Sequence, residues 1–156
     1  MKRGMDVVGL RLLAVALAIC VQASTANAAQ PSEVDRAKED QITDGVALAR
    51  NMLDAQMFDF GSARVRGVNA GVTRDKTVIC GFINGKNRIG AYVGWRQFAV
   101  FGDQLIVPPE NPLDPSWPEK SATVEMICGT DGKVRVAVFR DAYASPTDWT
   151  AALSPG

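Results

Sequence analysis

Residues 63–83, ARVRGVNAGVTRDKTVICGFI, predict an antiparallel pair of strands. Two runs rich in apolar and β-branched residues, 65–72 and 77–83, are separated by the polar segment 73–76. Runs of this length and composition are typical of strands, and so short a connection permits only antiparallel pairing.

Further short strands are predicted downstream. Asn84-Gly85 favours the backbone of a tight turn, and Asp131-Gly132 is a similar signal later in the chain. The hairpin connections are too short for crossover helices, so the sheet should be mainly antiparallel. Five prolines between residues 108 and 118 predict an ordered loop, because proline cannot donate to a sheet ladder. The predicted downstream strands are residues 92–101, 105–107, 123–128 and 134–139.

A helix is predicted ahead of the hairpin, from Ser32 to about Phe58. Ser32 can cap its N-terminus, where Glu33 and Asp35 complement the helix dipole. Gly45 weakens the middle, so the segment is either one bent helix or two helices. One apolar face recurs at three- to five-residue intervals, through Val34, Ala37, Ile42, Val46, Ala49, Leu53 and Met57.

These elements predict an α+β fold. The N-terminal amphipathic helix should pack on a mainly antiparallel sheet of about five or six short strands, tied by one disulfide. A short helix after Ser145-Pro146, ending near Leu153, should follow the last strand.

The first 28 residues predict a cleavable Sec-type signal peptide. Lys2 and Arg3 precede an uncharged apolar run at residues 12–21, and Ala26-Asn27-Ala28 matches the small-x-small rule for signal peptidase. That run is too short for a transmembrane helix, which needs about 20 apolar residues. Cleavage after Ala28 would leave one periplasmic or secreted domain, residues 29–156, with no integral membrane segment. The alternative is lipidation at Cys20, but Ile19 stands where lipoprotein processing requires a small residue.

The cysteines of the mature domain predict one disulfide. Cys20 is lost with the signal peptide, which leaves Cys80 and Cys128 as a single possible pair. Pairing is favoured in an oxidising compartment. No Cys-x-x-Cys motif is present, and two cysteines are too few ligands for a zinc site. We expect the pair to tie the second strand to a late strand.

Composition narrows the classes of function. The chain contains no histidine, which excludes Ser-His-Asp and Cys-His catalysis and histidine metal sites. Residues 29–156 carry 14 basic and 16 acidic side chains, a formal charge of −2, so a nucleic-acid partner is not expected. No metal or cofactor is predicted. These observations favour a protein that is not an enzyme.

Two motifs resemble a known group of proteins. Residues 59–68, DFGSARVRGV, are similar to an Asp-Pro-x-Ser-Ala-x-Phe-Arg-x-Val pattern. Residues 80–95, CGFINGKNRIGAYVGW, resemble Cys-Gly-x-[Val/Ile]-Asn-x-Lys-Asn-x-x-Gly-x-Tyr-x-Gly. Both patterns occur in this order in an uncharacterised family of small exported proteins of Gram-negative bacteria. Phe60 and Phe82 depart from the proline and the acidic residue usual there. The resemblance implies a periplasmic or secreted setting and brings no activity.

The 84–96 segment is the candidate binding site. Its amide, cationic and aromatic side chains could hold an anionic or sugar-like ligand of the envelope, and its glycines would let the backbone approach the ligand. The alternative is an ordinary hairpin whose glycines serve the turn and whose aromatic residues pack. The candidate residues are Asn84, Lys86, Asn87, Arg88, Tyr92, Trp95 and Arg96.

The leading hypothesis is a non-enzymatic periplasmic or secreted accessory protein that binds another envelope component. One alternative is a carboxylate-dependent hydrolase of cell-wall glycan, and another is an inhibitor of a wall-degrading enzyme. Trp117 in the proline-rich loop is either a docking residue or a lid on the core. The carboxylates available to a hydrolase include Asp59, Asp103, Glu110, Asp114 and Glu125, and their spacing fixes no catalytic pair.

Overall fold

The α+β prediction is confirmed by a computed structural model, which describes residues 32–74, 76–135, 139 and 141–155. The predicted signal peptide and its cleavage site after Ala28 lie outside the described residues. The elements in chain order are helix α1 (Glu33–Gln56), a 3-10 turn (Phe60–Ser62), strands β1 (Arg64–Thr73), β2 (Lys76–Asn84), β3 (Arg96–Phe101) and β4 (Gln104–Ile106), helix α2 (Trp117–Cys128), strand β5 (Ala142–Ala144) and helix α3 (Thr150–Leu153).

The five strands form one antiparallel sheet in the order β4-β3-β2-β1-β5. The β1–β2 hairpin predicted from residues 65–83 is its centre, with Thr73 opposite Lys76 at the turn. The register shifts between Arg66 and Asn69, where Gly67 has a φ of 60°. Such a bulge needs a residue that tolerates positive φ, and glycine does so without a steric penalty.

Helix α1 covers one face of the sheet. Ser32 caps it as predicted, its Oγ accepting from the Asp35 amide at 3.1 Å. The helix is continuous through Gly45, where a side chain would collide with Thr77 of β2. Val34, predicted on the apolar face, is 62 % exposed. The core on this side joins Ile42, Val46, Ala49 and Leu53 of the helix to Ile79, Ile83, Phe98 and Val100 of the sheet and to Leu153 of α3.

Helix α2 covers the opposite face, which corrects the sequence prediction. Residues 123–128 were expected to be a strand, and they form the second half of α2 instead. Pro118 is well placed in the first helical turn, and the buried residues Val124, Ile127 and Cys128 follow helical spacing. Of the expected partner strand, only residues 134, 135 and 139 are described, and none of them is in a strand. The side chains beneath the helix are Val78, Cys80 and Ala99.

The predicted disulfide between Cys80 and Cys128 is present, with their Cα atoms 5.6 Å apart. It connects β2 to the last residue of α2, not to a late strand as the sequence suggested. The cross-link therefore fixes a helix onto the sheet. In the described part of the chain, no helix has the length and apolar character needed to cross a membrane.

The C-terminal segment is fastened to α1 by polar contacts. Glu39 accepts hydrogen bonds from Tyr143 Oη at 2.7 Å and from Ser145 Oγ at 3.1 Å. Trp149 Nε1 donates in turn to Ser145 Oγ at 3.2 Å. The short helix predicted to end near Leu153 follows as α3.

We expect this contact to lose its stabilising effect at alkaline pH. The hydrogen bond to Glu39, together with burial and the charges of Glu39 and Asp35, raises the pKa of Tyr143 from 10.0 to about 12. Folding thus favours the protonated phenol, and its contribution is complete below pH 10 and lost as the pH rises towards 12. Urea unfolding across this interval should give a steeper loss of stability for the unmodified protein than for Tyr143→Phe.

Tyr92→Phe provides the matched control, because the Tyr92 hydroxyl donates to the main-chain oxygen of Ser62 and not to a carboxylate. If Tyr92→Phe flattened the alkaline slope as much as Tyr143→Phe, the assignment to the Glu39 contact would be wrong.

Candidate functional site

The segment between β2 and β3 folds into a compact loop shaped by two asparagines. Asn84 Oδ1 accepts from the Gly94 amide at 3.1 Å. Asn87 Oδ1 accepts from the amides of Ile89 and Ala91 at 3.1 and 3.0 Å. These bonds hold the backbone of the loop, so the side-chain oxygens of both asparagines already have partners within the protein.

The aromatic residues of the loop are covered by arginines from β1. The guanidinium of Arg64 lies 4.6 Å from the centre of the Tyr92 ring, and Lys86 Nζ lies 5.4 Å from it. The guanidinium of Arg66 lies 4.1 Å from the Trp95 ring. Cation–π contacts of this kind are attractive and leave the charged groups at the surface. The cationic side chains of this surface are therefore held against aromatic rings.

Arg96, the first residue of β3, is the most constrained cation of the site. Its Nη1 donates to the main-chain oxygen of Pro108 at 2.9 Å, and its Nη2 lies 3.9 Å from Glu110 Oε1. Its Nε is buried and has no hydrogen-bond partner among the described residues. Burial lowers the pKa of Arg96, and the charge of Glu110 acts in the opposite direction. The guanidinium is therefore positioned by the protein with part of its hydrogen-bonding capacity unused.

Two pockets lie against this Arg96–Glu110 pair, and both include Pro109 in their lining. The first, here called the tryptophan pocket, has a volume of about 430 Å³. The second, the cationic pocket, has a volume of about 540 Å³. Besides the shared residues, the tryptophan pocket is lined by Trp95, Trp117, Pro108, Val124 and Glu125, and the cationic pocket by Phe58, Lys86, Arg88, Asp114 and Lys120.

The walls of the pockets are ordered by the fold. The disulfide holds the end of α2, and Gln97 Nε2 of β3 donates to the Gly129 carbonyl beyond it at 2.6 Å. In the proline-rich loop, the amide and hydroxyl of Ser116 donate to Asp114 Oδ1 at 2.8 and 2.7 Å. These hydrogen bonds lower the pKa of Asp114, and the charge of Lys120 adds to the effect.

The charge of the cationic pocket differs from that of the domain. Lys86, Arg88, Arg96 and Lys120 line it against only two carboxylates, those of Glu110 and Asp114. The domain as a whole carries more acidic than basic residues. A local excess of positive charge in a concave site attracts anions. Guanidinium groups are in addition well suited to bidentate contacts with phosphate or carboxylate.

The predicted binding residues are only partly brought together. Lys86, Asn87, Arg88 and Arg96 line the cationic pocket, and Trp95 and Arg96 line the tryptophan pocket. Asn84 and Tyr92 line neither pocket and instead support the loop.

Several residues of the site were missed by sequence reasoning or were considered for another role. Arg64 and Arg66 have a recognisable signal, since a basic residue at every second position of a strand marks its exposed face. Trp117, considered for docking, is half-buried in the first turn of α2. Of the carboxylates considered for catalysis, Asp59 caps the 3-10 turn. Glu110 and Glu125 line the tryptophan pocket.

Nothing in the described residues indicates a metal centre, since no group of three or more candidate ligands occurs there. No protein-family model, curated protein or solved structure matches the chain significantly. The resemblance to exported Gram-negative proteins therefore stays a prediction.

Proposed function

We propose that this chain is an exported, non-enzymatic accessory protein that binds another component of the bacterial envelope. The binding site is the pair of pockets on either side of Arg96 and Glu110. The observation that carries the proposal is the incompletely satisfied Arg96 guanidinium between one pocket lined by tryptophans and another lined by cations.

The chemistry of Arg96 supports an anionic ligand. Its 3.9 Å separation from Glu110 exceeds a good hydrogen-bond distance, so the pair gains charge attraction without strong hydrogen bonding. A phosphate or carboxylate oxygen in the cationic pocket would compete with Glu110 for this cation. Lys86 and Arg88, which line the same pocket, would add to the attraction.

The absence of histidine from the sequence supports a binding role over catalysis, because the usual general base near neutral pH is missing. The tryptophans give the adjoining pocket rigid apolar walls, which favour recognition of a defined shape. The predicted export signal supports an envelope component as the partner.

A pull-down from periplasmic and outer-membrane extract tests the proposal, with the oxidised protein as bait. We expect a specific component whose recovery falls about tenfold in Lys86→Glu, because the charge reversal repels an anionic ligand. Lys133→Glu is the matched control, since Lys133 is exposed and lines neither pocket. Equal losses in the two variants, or the capture of no protein, glycan or lipid at all, would contradict the proposed site.

A hydrolase of cell-wall glycan is the second candidate, favoured by one observation. Glu110 and Glu125 line the same pocket as Trp95 and Trp117, and glycoside hydrolysis requires two carboxyl groups that face one site. Turnover of purified peptidoglycan that is abolished in Glu125→Gln would establish this activity. Loss of lysozyme activity on mixing, without turnover, would instead support an inhibitor.

A further inference from the structure

Three connections that contribute to the lining of the cationic pocket carry the most exposed large apolar side chains in the described part of the chain. Ile89 and Leu113 are each 87 % exposed, and Phe58 is 71 % exposed. Phe58 lines the pocket, while Ile89 adjoins Arg88 and Leu113 adjoins Asp114, which also line it. A single exposed apolar residue needs no explanation, but the three most exposed ones lie on connections that all contribute to the lining of one pocket, which indicates a docking surface.

These side chains come from three different connections of the fold. Phe58 follows α1, Ile89 lies in the β2–β3 loop, and Leu113 lies in the proline-rich loop. The amide of Ile89 donates to Asn87 Oδ1 at 3.1 Å, and the amide of Leu113 donates to Asn111 Oδ1 at 3.0 Å. Side-chain hydrogen bonds of this kind define local turns. Ile89 and Leu113 therefore both lie in hydrogen-bonded turns.

The charges that line the cationic pocket are mainly positive, with four basic side chains against the carboxylates of Glu110 and Asp114. Arg88 is exposed and makes no ion pair with any described residue. Lys86 lies against the Tyr92 ring, which leaves its charge available to an anion. Of the two acidic residues in the pocket, Glu110 faces Arg96, and Asp114 is hydrogen-bonded by Ser116. Exposed apolar side chains next to a mainly cationic pocket are complementary to a lipid surface that carries negative headgroups.

We propose that this surface docks onto a membrane containing anionic phospholipid. A headgroup phosphate enters the cationic pocket near Lys86 and Arg88, while Phe58, Ile89 and Leu113 insert into the boundary between headgroups and acyl chains. This inference rests on the proposed function and names the envelope component. A free anion would use the cations alone, whereas the exposed apolar side chains are stabilised only if a lipid surface or a protein covers them.

Vesicle flotation tests the inference with protein purified after expression of the full chain. The vesicles contain phosphatidylcholine alone or an equal mixture of phosphatidylcholine and phosphatidylglycerol. We expect binding to the mixed vesicles only, and weaker binding at high salt. Arg88→Gln should weaken it about fivefold, as expected for one basic residue at an anionic surface. Ile89→Ser should weaken it about tenfold through lost apolar burial.

Met126→Ser is the matched control, because Met126 is 57 % exposed on α2 and does not line the cationic pocket. It should bind like the unmodified protein, and circular dichroism should confirm that every variant is folded. Absence of binding to the mixed vesicles would overturn the inference. A loss caused by Arg88→Gln but not by Ile89→Ser would also overturn it, and competition by soluble glycerol phosphate would then identify a free phosphate ligand.

The two proposals fail separately. Suppose that the chain captures a protein from the extract in a Lys86-dependent manner but does not bind vesicles. This result would refute membrane docking and retain the proposed function. Neither capture nor vesicle binding would refute both.

Discussion

Replacing Cys80 and Cys128 together by serine should lower the free energy of unfolding by about 4 kcal/mol. The disulfide closes a loop of 48 residues, and the entropy that such a cross-link removes from the unfolded chain corresponds to this amount. Domains of this size are typically stable by about 5–15 kcal/mol, so the loss is a large share of the total. Urea unfolding followed by tryptophan fluorescence measures it.

Reduction provides the control for the serine variant. Dithiothreitol should destabilise the unmodified protein by a similar amount and leave the double variant unchanged. A double variant as stable as the unmodified protein would show that Val124 and Ile127 hold α2 on the sheet without the cross-link.

Removing the disulfide should destabilise some parts of the fold more than others. α2 is anchored to the sheet by the disulfide and a small apolar cluster, whereas α1 buries a longer apolar face against the main core. Segments with fewer buried contacts open at lower free energy. Hydrogen exchange should therefore show a greater loss of protection in Trp117–Cys128 than in Glu33–Gln56. Because α2 forms one wall of the tryptophan pocket, binding should weaken with it.

The elements that were predicted correctly are those specified by local sequence signals. α1 and the β1–β2 hairpin were predicted because apolar spacing, the Ser32 cap and a short polar turn are local signals. The second half of α2, residues 123–128, was mistaken for a strand because Thr123, Val124 and Ile127 are β-branched. Its helical state depends on burying Val124 and Ile127 against the second face of the sheet, and tertiary packing of this kind overrides weak propensity.

The candidate site was predictable on one side only. Lys86, Arg88, Trp95 and Arg96 are close in sequence, so one segment indicated them together. The opposite wall comes from the proline-rich loop and the start of α2, and no periodicity shows that this loop folds back over β3. The contact of Arg66 with Trp95 depends in turn on the register set by the bulge near Gly67. Sequence patterns do not report such long-range register.

Phe98→Ala should destabilise the fold by about 3–5 kcal/mol, because the ring is fully buried and its removal leaves a cavity in the main core. The ring packs directly over Gly81 of the neighbouring strand. A Cβ added at Gly81 would lie 2.9 Å from two Phe98 ring carbons and 3.2 Å from a methyl carbon of Val68. Gly81→Ala alone should therefore cost about 1–3 kcal/mol through overpacking.

The two substitutions together should cost less than the sum of their separate effects. Without the Phe98 ring, the added methyl group loses its two nearest contacts and occupies part of the cavity, so the coupling should be at least about 1 kcal/mol. Gly61→Ala combined with Phe98→Ala is the control, since a Cβ at Gly61 meets nothing closer than Asp59 Oδ1 at 3.7 Å. The effects of these two substitutions on the free energy of unfolding, measured in urea, should be additive. If the effects of Gly81→Ala and Phe98→Ala were also additive, Phe98 would not require glycine opposite it. Some other constraint would then explain the glycine in β2.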